Sequence, residues 1–93
     1  MIIKHIDNAN KGSFVAFEES QQIGEMTYSK AGDDKIIIDH TEVHPEHKGK
    51  SIGKILLAKA VEHVRENNIK IIPLCPFVKS SFDKDVDIRD VLA

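Results

Sequence analysis

At 93 residues the chain can bury one hydrophobic core and no more, so a single domain over residues 1–93 is expected. Hydrophobic residues at 41% and charged residues at 30% are those of a globular domain, and a formal net charge of −2 excludes the strongly basic face that general nucleic-acid binding needs. No apolar run approaches the roughly 20 residues that span a bilayer, and Met1–Asp7 lacks the apolar core of a signal peptide, so no membrane role and a reducing, cytoplasmic setting are expected, with the single cysteine, Cys75, a free thiol.

In chain order, Ile2–Ile6 reads as a short strand and Asn8–Gly12 as a turn, because Asn and Gly tolerate positive φ. Phe14–Phe17 is apolar enough for a strand covered on both faces. Glu18–Gln22 reads as a polar turn, Ile23–Tyr28 as a third strand, and Gly32-Asp33-Asp34 as the next hairpin. Lys35–His44 is the strongest strand. Past Ile38, alternation puts His40, Glu42 and His44 on one face and Asp39, Thr41 and Val43 on the other. Polar residues on both faces there predict that the strand opens into a cleft.

Ile52–Asn67 carries an apolar stripe of Ile52, Leu56, Leu57, Ala60, Val61 and Val64 at helical spacing. Ile69–Cys75 reads as a strand, and Pro76–Phe82 as a short helix with proline at its first position. Asp85–Leu92 reads as a last helical turn or tail. A strand, a helix and a strand on short loops make a right-handed crossover, so the last two strands should be parallel. The expected fold is α+β, with antiparallel strands first and the crossover after them.

The chemistry gathers around Glu42–Leu57. The strand breaks at Pro45, turns through Lys48-Gly49-Lys50-Ser51 and enters the helix at Ile52. Such a turn aims unpaired N–H groups at one point, and the helix dipole and Lys48, Lys50 and Lys54 add positive charge, so the turn suits a phosphate or pyrophosphate. A solvated loop is the plainer alternative. Neither the Walker nor the Rossmann glycine spacing occurs. Pro73 and Pro76 cannot donate to a ladder, so the two parallel strands should part at their C-terminal ends. Exposed backbone in that gap could hold an amide-bearing arm as if it were a strand. An anionic head with an amide-bearing tail describes coenzyme A.

The run Val43–Leu57, with Lys48-Gly49-Lys50-Ser51-Ile52-Gly53, resembles motif A of the GNAT N-acetyltransferase superfamily. Lys48 stands at its Arg/Gln place, Ser51 at its first glycine and Gly53 at its second. Cys75-Pro76-Phe77, with Ile38–Val43 earlier, resembles a minimal GNAT-like subfamily of this length. The resemblance implies a GNAT-like mixed sheet whose last two strands are splayed, and acetyl-CoA as cosubstrate. The cofactor residues it implies run from Val43 and His44 through Lys48, Gly49, Lys50, Ser51, Ile52, Gly53 and Lys54, with Pro76 and Phe77 beyond. Too little chain precedes Phe14 for the N-terminal helices of larger members, so the acceptor site is expected to be open or completed by a protein partner.

Three side chains are candidate catalysts. Cys75, at the start of the short helix, could carry the acetyl group, since a helix N-terminus favours the thiolate; the alternative is a small buried apolar residue. His40 could deprotonate Cys75 or an amine, against a structural histidine, and Glu42 is the other base. His40, His44 and His47 with Cys75 fit no common zinc spacing. His5 and His63 read as surface residues. The function expected is acetyl transfer from acetyl-CoA to an unidentified amine, possible through acetyl-Cys75, and the alternative is a CoA- or acyl-CoA-binding module without turnover.

Overall fold

The computed structural model describes residues 1–93. Its strands are β1 (Ile2–Asp7), β2 (Lys11–Glu18), β3 (Gln21–Lys30), β4 (Lys35–Val43) and β5 (Lys70–Pro73). Its helices are α1 (Ile52–Glu66) and α2 (Pro76–Lys84), with 3₁₀ turns at Pro45–His47 and Val86–Val91. The strands form one sheet in the order β1-β2-β3-β4-β5; the first four are antiparallel, and β5 pairs parallel to β4. The α+β, mixed-sheet expectation is met.

Local chemistry explains most element ends. Glu19 and Ser20 both take positive φ, at 51° and 69°, so the turn predicted over Glu18–Gln22 narrows to a two-residue hairpin whose twist suits the flanking strands. Asn67-Asn68 ends α1 with Asn68 at φ 56°. The strand predicted over Ile69–Cys75 is shorter, because Pro73 has no N–H for the ladder and the chain turns away after it.

All six predicted stripe residues of α1 are buried. They pack on Phe14, Ala16, Ile23, Met26, Tyr28, Ile36, Ile38 and Ile71 of the sheet, and Val78 and Phe82 of α2 join the same core. Both helices thus cover one face of the sheet. The opposite face carries Ile2, Lys4 and Ile6 of β1 and Glu25, Thr27 and Ser29 of β3, with no helix over it.

The C-terminal turn is strapped to this core. Arg65 holds Asp90 through two bonds, Nε to Oδ2 at 3.0 Å and Nη2 to Oδ1 at 2.7 Å. Ala93 N–H donates to Ile71 C=O at 2.8 Å, and Leu92 bridges Ile71, which covers the outer edge of β5.

At the far end of the sheet, His5 Nε2 lies 2.6 Å from Tyr28 OH and its ring stacks on Phe14 at 4.2 Å. His5 is exposed, as its reading as a surface residue requires, but His63 is half-buried, with its ring edge-on to His5 at 4.4 Å. Burial and the neighbouring Asp7 carboxylate push Tyr28 up to about 12. Gly12 lets this cluster close: a Cβ there would stand 2.5 Å from both Ile6 C=O and Tyr28 OH. Neither atom can yield, since one is backbone and the other ends a buried ring. Gly12→Ala should therefore destabilise the chain by about 2 kcal/mol in denaturant melts, the scale of an overpacked core.

Candidate functional site

The site begins where β4 and β5 part. Their register runs from Lys35↔Lys70 to Ile38↔Pro73 and stops, while β4 continues to Val43. Two features end the ladder. Past Pro73 the N–H groups of Leu74 and Cys75 both donate to Ile38 C=O, at 3.1 and 2.9 Å, so the chain turns off the sheet. Opposite, β4 carries a bulge: Thr27 pairs with His40 and Tyr28 with Ile38, leaving Asp39 as the extra residue. A bulge bends its strand and re-aims the side chains beyond it.

The inward positions therefore switch from Ile36 and Ile38 to Thr41 and Val43, which are half-buried, while Asp39, His40 and Glu42 are exposed. Asp39 turns outward and accepts from Thr27 Oγ1 at 2.5 Å and Ser29 Oγ at 3.3 Å. His44 N–H donates to Ile23 C=O at 2.8 Å, so by alternation the backbone groups of Thr41 and Val43 face the edge that β5 has left. The predicted grouping of Thr41 with Val43 matches these positions.

The turn into α1 supplies the second half. Gly49 has φ 89° and Ser51 has φ 61°, so the chain bends twice within three residues before Ile52. The first bond of α1 runs from Ile55 N–H to Ser51 C=O at 3.1 Å, and Ser51 caps nothing with its side chain. The N–H groups of Ile52, Gly53 and Lys54 have no acceptor in the chain, and those of Gly49 and Ser51 have none either. No acidic residue stands in the first turn of α1 to neutralise this end.

A groove of about 430 Å³ joins the two halves, lined by Thr41, Val43, His47, Lys48, Gly49, Ser51, Ile52, Gly53, Lys54 and Phe77. Phe77 closes it from α2. A Cβ on Gly53 would meet the Phe77 ring at 2.9 to 3.4 Å, so this close approach needs glycine. A second groove of about 470 Å³ continues between α1 and α2 and shares Lys54 and Phe77 with the first.

Most of the predicted cofactor residues come together here. His44, Lys50 and Pro76 do not line the groove. His44 instead caps the 3₁₀ turn, accepting from Glu46 N–H at 3.3 Å, because Pro45 breaks the strand at that point. Lys50 turns to His47, with Nζ 3.2 Å from Nδ1. Sequence reasoning missed Thr41 and His47 as lining residues. Thr41 was within reach, since alternation already put it beside Val43.

The three candidate catalysts do not form one cluster. Cys75 is 5% exposed, occupies the N-cap position of α2 without a side-chain cap bond, and donates from its thiol to Thr41 Oγ1 at 3.4 Å. Burial pushes the thiol up; its contacts with the Thr41 side chain and with the backbone of Val78, Phe77 and Thr41 outweigh that, and the thiol lies below its usual range. His40 sits on the other side of β4 from Thr41, 65% exposed, with Nε2 3.8 Å from Glu42 Oε2. The expected pairing of His40 with Cys75 is therefore not made: β4 itself lies between them. His40, His44, His47 and Cys75 gather into no metal cluster either, and no group of three or more ligating side chains occurs in the chain. No helix is long and apolar enough to cross a membrane.

Comparison with known proteins agrees with this fold. A sequence model described as GCN5-related N-acetyl-transferase matches residues 13–91. A GCN5-like candidate N-acetyltransferase from Staphylococcus aureus, solved in solution, is 37% identical, with a TM-score of 0.74 over 97% of this chain and 87% of its own. Two more distant structures, each 21% identical, share the fold. The ribosomal-protein-alanine N-acetyltransferase of Brucella melitensis has a TM-score of 0.67 over 92% of this chain and 64% of its own. A candidate streptothricin acetyltransferase of Bacillus anthracis, in complex with acetyl coenzyme A, has a TM-score of 0.65 over 86% of this chain and 48% of its own. Among curated proteins no sequence match was found. The chain belongs to the GCN5-related N-acetyltransferase family, whose members form a class of acetyltransferase enzymes.

Proposed function

We propose that this chain moves the acetyl group of acetyl-CoA to an amine, with Cys75 as the carrier. The observation that carries the reading is the groove itself. At one end five backbone N–H groups and the side chains of Lys48 and Lys54 stand ready for a diphosphate; at the other lies the unpaired edge of β4 beside Cys75. The pyrophosphate of the cosubstrate would rest on Gly49–Lys54, and its amide-bearing arm would pair with the backbone of Thr41 and Val43 as an added strand. The Bacillus anthracis relative, solved with acetyl coenzyme A, supports that choice of ligand.

The chemistry then divides into two exchanges. The Cys75 thiolate attacks the acetyl carbonyl, a C–S bond forms, and the C–S bond to CoA breaks with CoA leaving as its thiolate. An amine next attacks acetyl-Cys75, a C–N bond forms, and the thiolate returns. The amine must first lose a proton; β4 separates the exposed His40–Glu42 pair from Cys75, so on this route the proton leaves to solvent before the amine attacks, and the pair is kept for the direct route below. The face that carries His40 and Glu42 has no helix over it, which leaves it open to a protein partner. The catalytic and cofactor roles, and a single domain over residues 1–93, are part of this proposal.

A second reading, direct attack of the amine on bound acetyl-CoA with Glu42 as base, is favoured by the 5% exposure of Cys75. The test has two parts. Titration with coenzyme A should move the amide resonances of Gly49–Lys54, Thr41 and Val43 first, and unmoved signals there end both readings. Incubation with acetyl-CoA, followed by intact-mass measurement, should add one acetyl group on Cys75. Turnover without that addition selects the direct route, and binding without turnover leaves a CoA- or acyl-CoA-binding module.

A further inference from the structure

Thr41 lines the groove and also touches Cys75, from 34 residues away in the chain. It follows the bulge at Asp39, and alternation turns its side chain inward from the edge of β4 that no strand pairs. Its Oγ1 lies 3.4 Å from Cys75 Sγ and accepts from the thiol. A hydroxyl rotates and owns a proton, so this bond can reverse. When the thiol is deprotonated, Thr41 becomes the donor and the bond becomes charge-assisted. Cys75 occupies the N-cap position of α2 and makes no side-chain cap bond there, so Thr41 is the hydrogen-bond partner of its sulfur. The Thr41 hydroxyl comes from the side where the groove lies.

We propose that Thr41 is a positioning residue for acetyl transfer: its hydroxyl steers the Cys75 sulfur toward the groove and donates to it as the thiolate. The proposal rests on Cys75 as the acetyl carrier. Thr41 itself gains and loses no proton. In the exchange it serves, one thioester C–S bond replaces another and CoA departs as the thiolate, so no oxidant or further reactant is needed. As the negative charge passes from the Cys75 sulfur to the CoA sulfur, the hydroxyl is free to follow it by rotation.

Two substitutions separate the hydroxyl from the shape. Thr41→Val keeps the branched outline and loses the donor, whereas Thr41→Ser keeps the donor and loses the methyl. The thiolate is followed by its ultraviolet absorbance across a pH titration of the whole chain. The signal is clean, because the chain has one cysteine and one tyrosine, and Tyr28 is pushed up to about 12. Thr41→Val should raise the titration midpoint by about one pH unit, which is a roughly tenfold loss of thiolate below it. The rate of acetyl labelling should fall by a similar factor, and Thr41→Ser should restore both. A midpoint unchanged in Thr41→Val overturns the proposal. Equal shifts in the Val and Ser variants also overturn it, because they assign the effect to packing. Should Thr41→Val fail to fold, the same comparison is made between Thr41→Ala and Thr41→Ser. A native chain that takes no acetyl label overturns the carrier reading and the role of Thr41 in transfer. The absorbance titration distinguishes that failure from a hydroxyl that never reaches the sulfur.

Discussion

Gly53→Val should weaken coenzyme A binding by about 10- to 100-fold in calorimetric titration, with no charge added or removed. Gly53 is the second residue of α1, and its N–H is one of the free donors at the anion end of the groove. Its missing side chain is what lets α2 approach, since a Cβ would lie within 2.9 to 3.4 Å of three Phe77 ring atoms. Valine adds two further methyls, so the ring has to move, and Phe77 lines both grooves. Overpacking of this kind costs about 1–3 kcal/mol, and each 1.4 kcal/mol is tenfold in affinity. The same overpacking should lower stability in thermal melts by about 1–3 kcal/mol, offset by the few tenths of a kcal/mol that valine gains over glycine as a helix former. A variant that binds coenzyme A as tightly as the native chain removes Phe77 from the ligand's path.

Cys75→Ala should abolish the acetyl label altogether while coenzyme A affinity stays within about twofold. The thiol touches Thr41, and it does not line the groove that holds the anion donors. Removing one buried sulfur costs stability on the order of 1 kcal/mol, too little to unfold a domain of ordinary stability. The pH dependence has a definite sign. Burial raises the thiol, but its contacts with Thr41 and with the backbone at the start of α2 outweigh that and hold it below its usual range. Labelling should therefore rise with pH through that lowered value and level off before the ordinary cysteine range is reached. A rate that keeps climbing to alkaline pH, or a label that survives in Cys75→Ala, means that another group carries the acetyl.

Sequence periodicity carried the scaffold, because that signal is local. The stripe Ile52–Val64 has one helical reading, and a strand–helix–strand unit on short loops has one handedness. The lysine-bearing turn was equally legible, since its chemistry depends on consecutive residues. What stayed hidden depends on one-residue details or on distant partners. The bulge at Asp39 leaves no mark in composition, yet it decides that Ile38 and Thr41, three positions apart, share a face. The His40–Cys75 pairing fails for that reason: the two were placed at one end of the sheet without knowing which side each would take. The Cys75–Thr41 contact spans 34 residues, and no pattern within either segment announces it. The hairpin at Glu19-Ser20 uses positive φ without Gly or Asn, so its register was equally out of reach.

The parting of β4 from β5 is fixed by a proline that lacks a proton and by one surplus residue in the facing strand. Both are properties of the covalent chain, and neither is a lid that swings. In the binding mode proposed above, a cosubstrate would find its berth already shaped and meet no door on the way out. Grip alone would then govern how long it stays, and the residence time of the ligand would read directly what Gly49–Lys54 and the edge of β4 contribute.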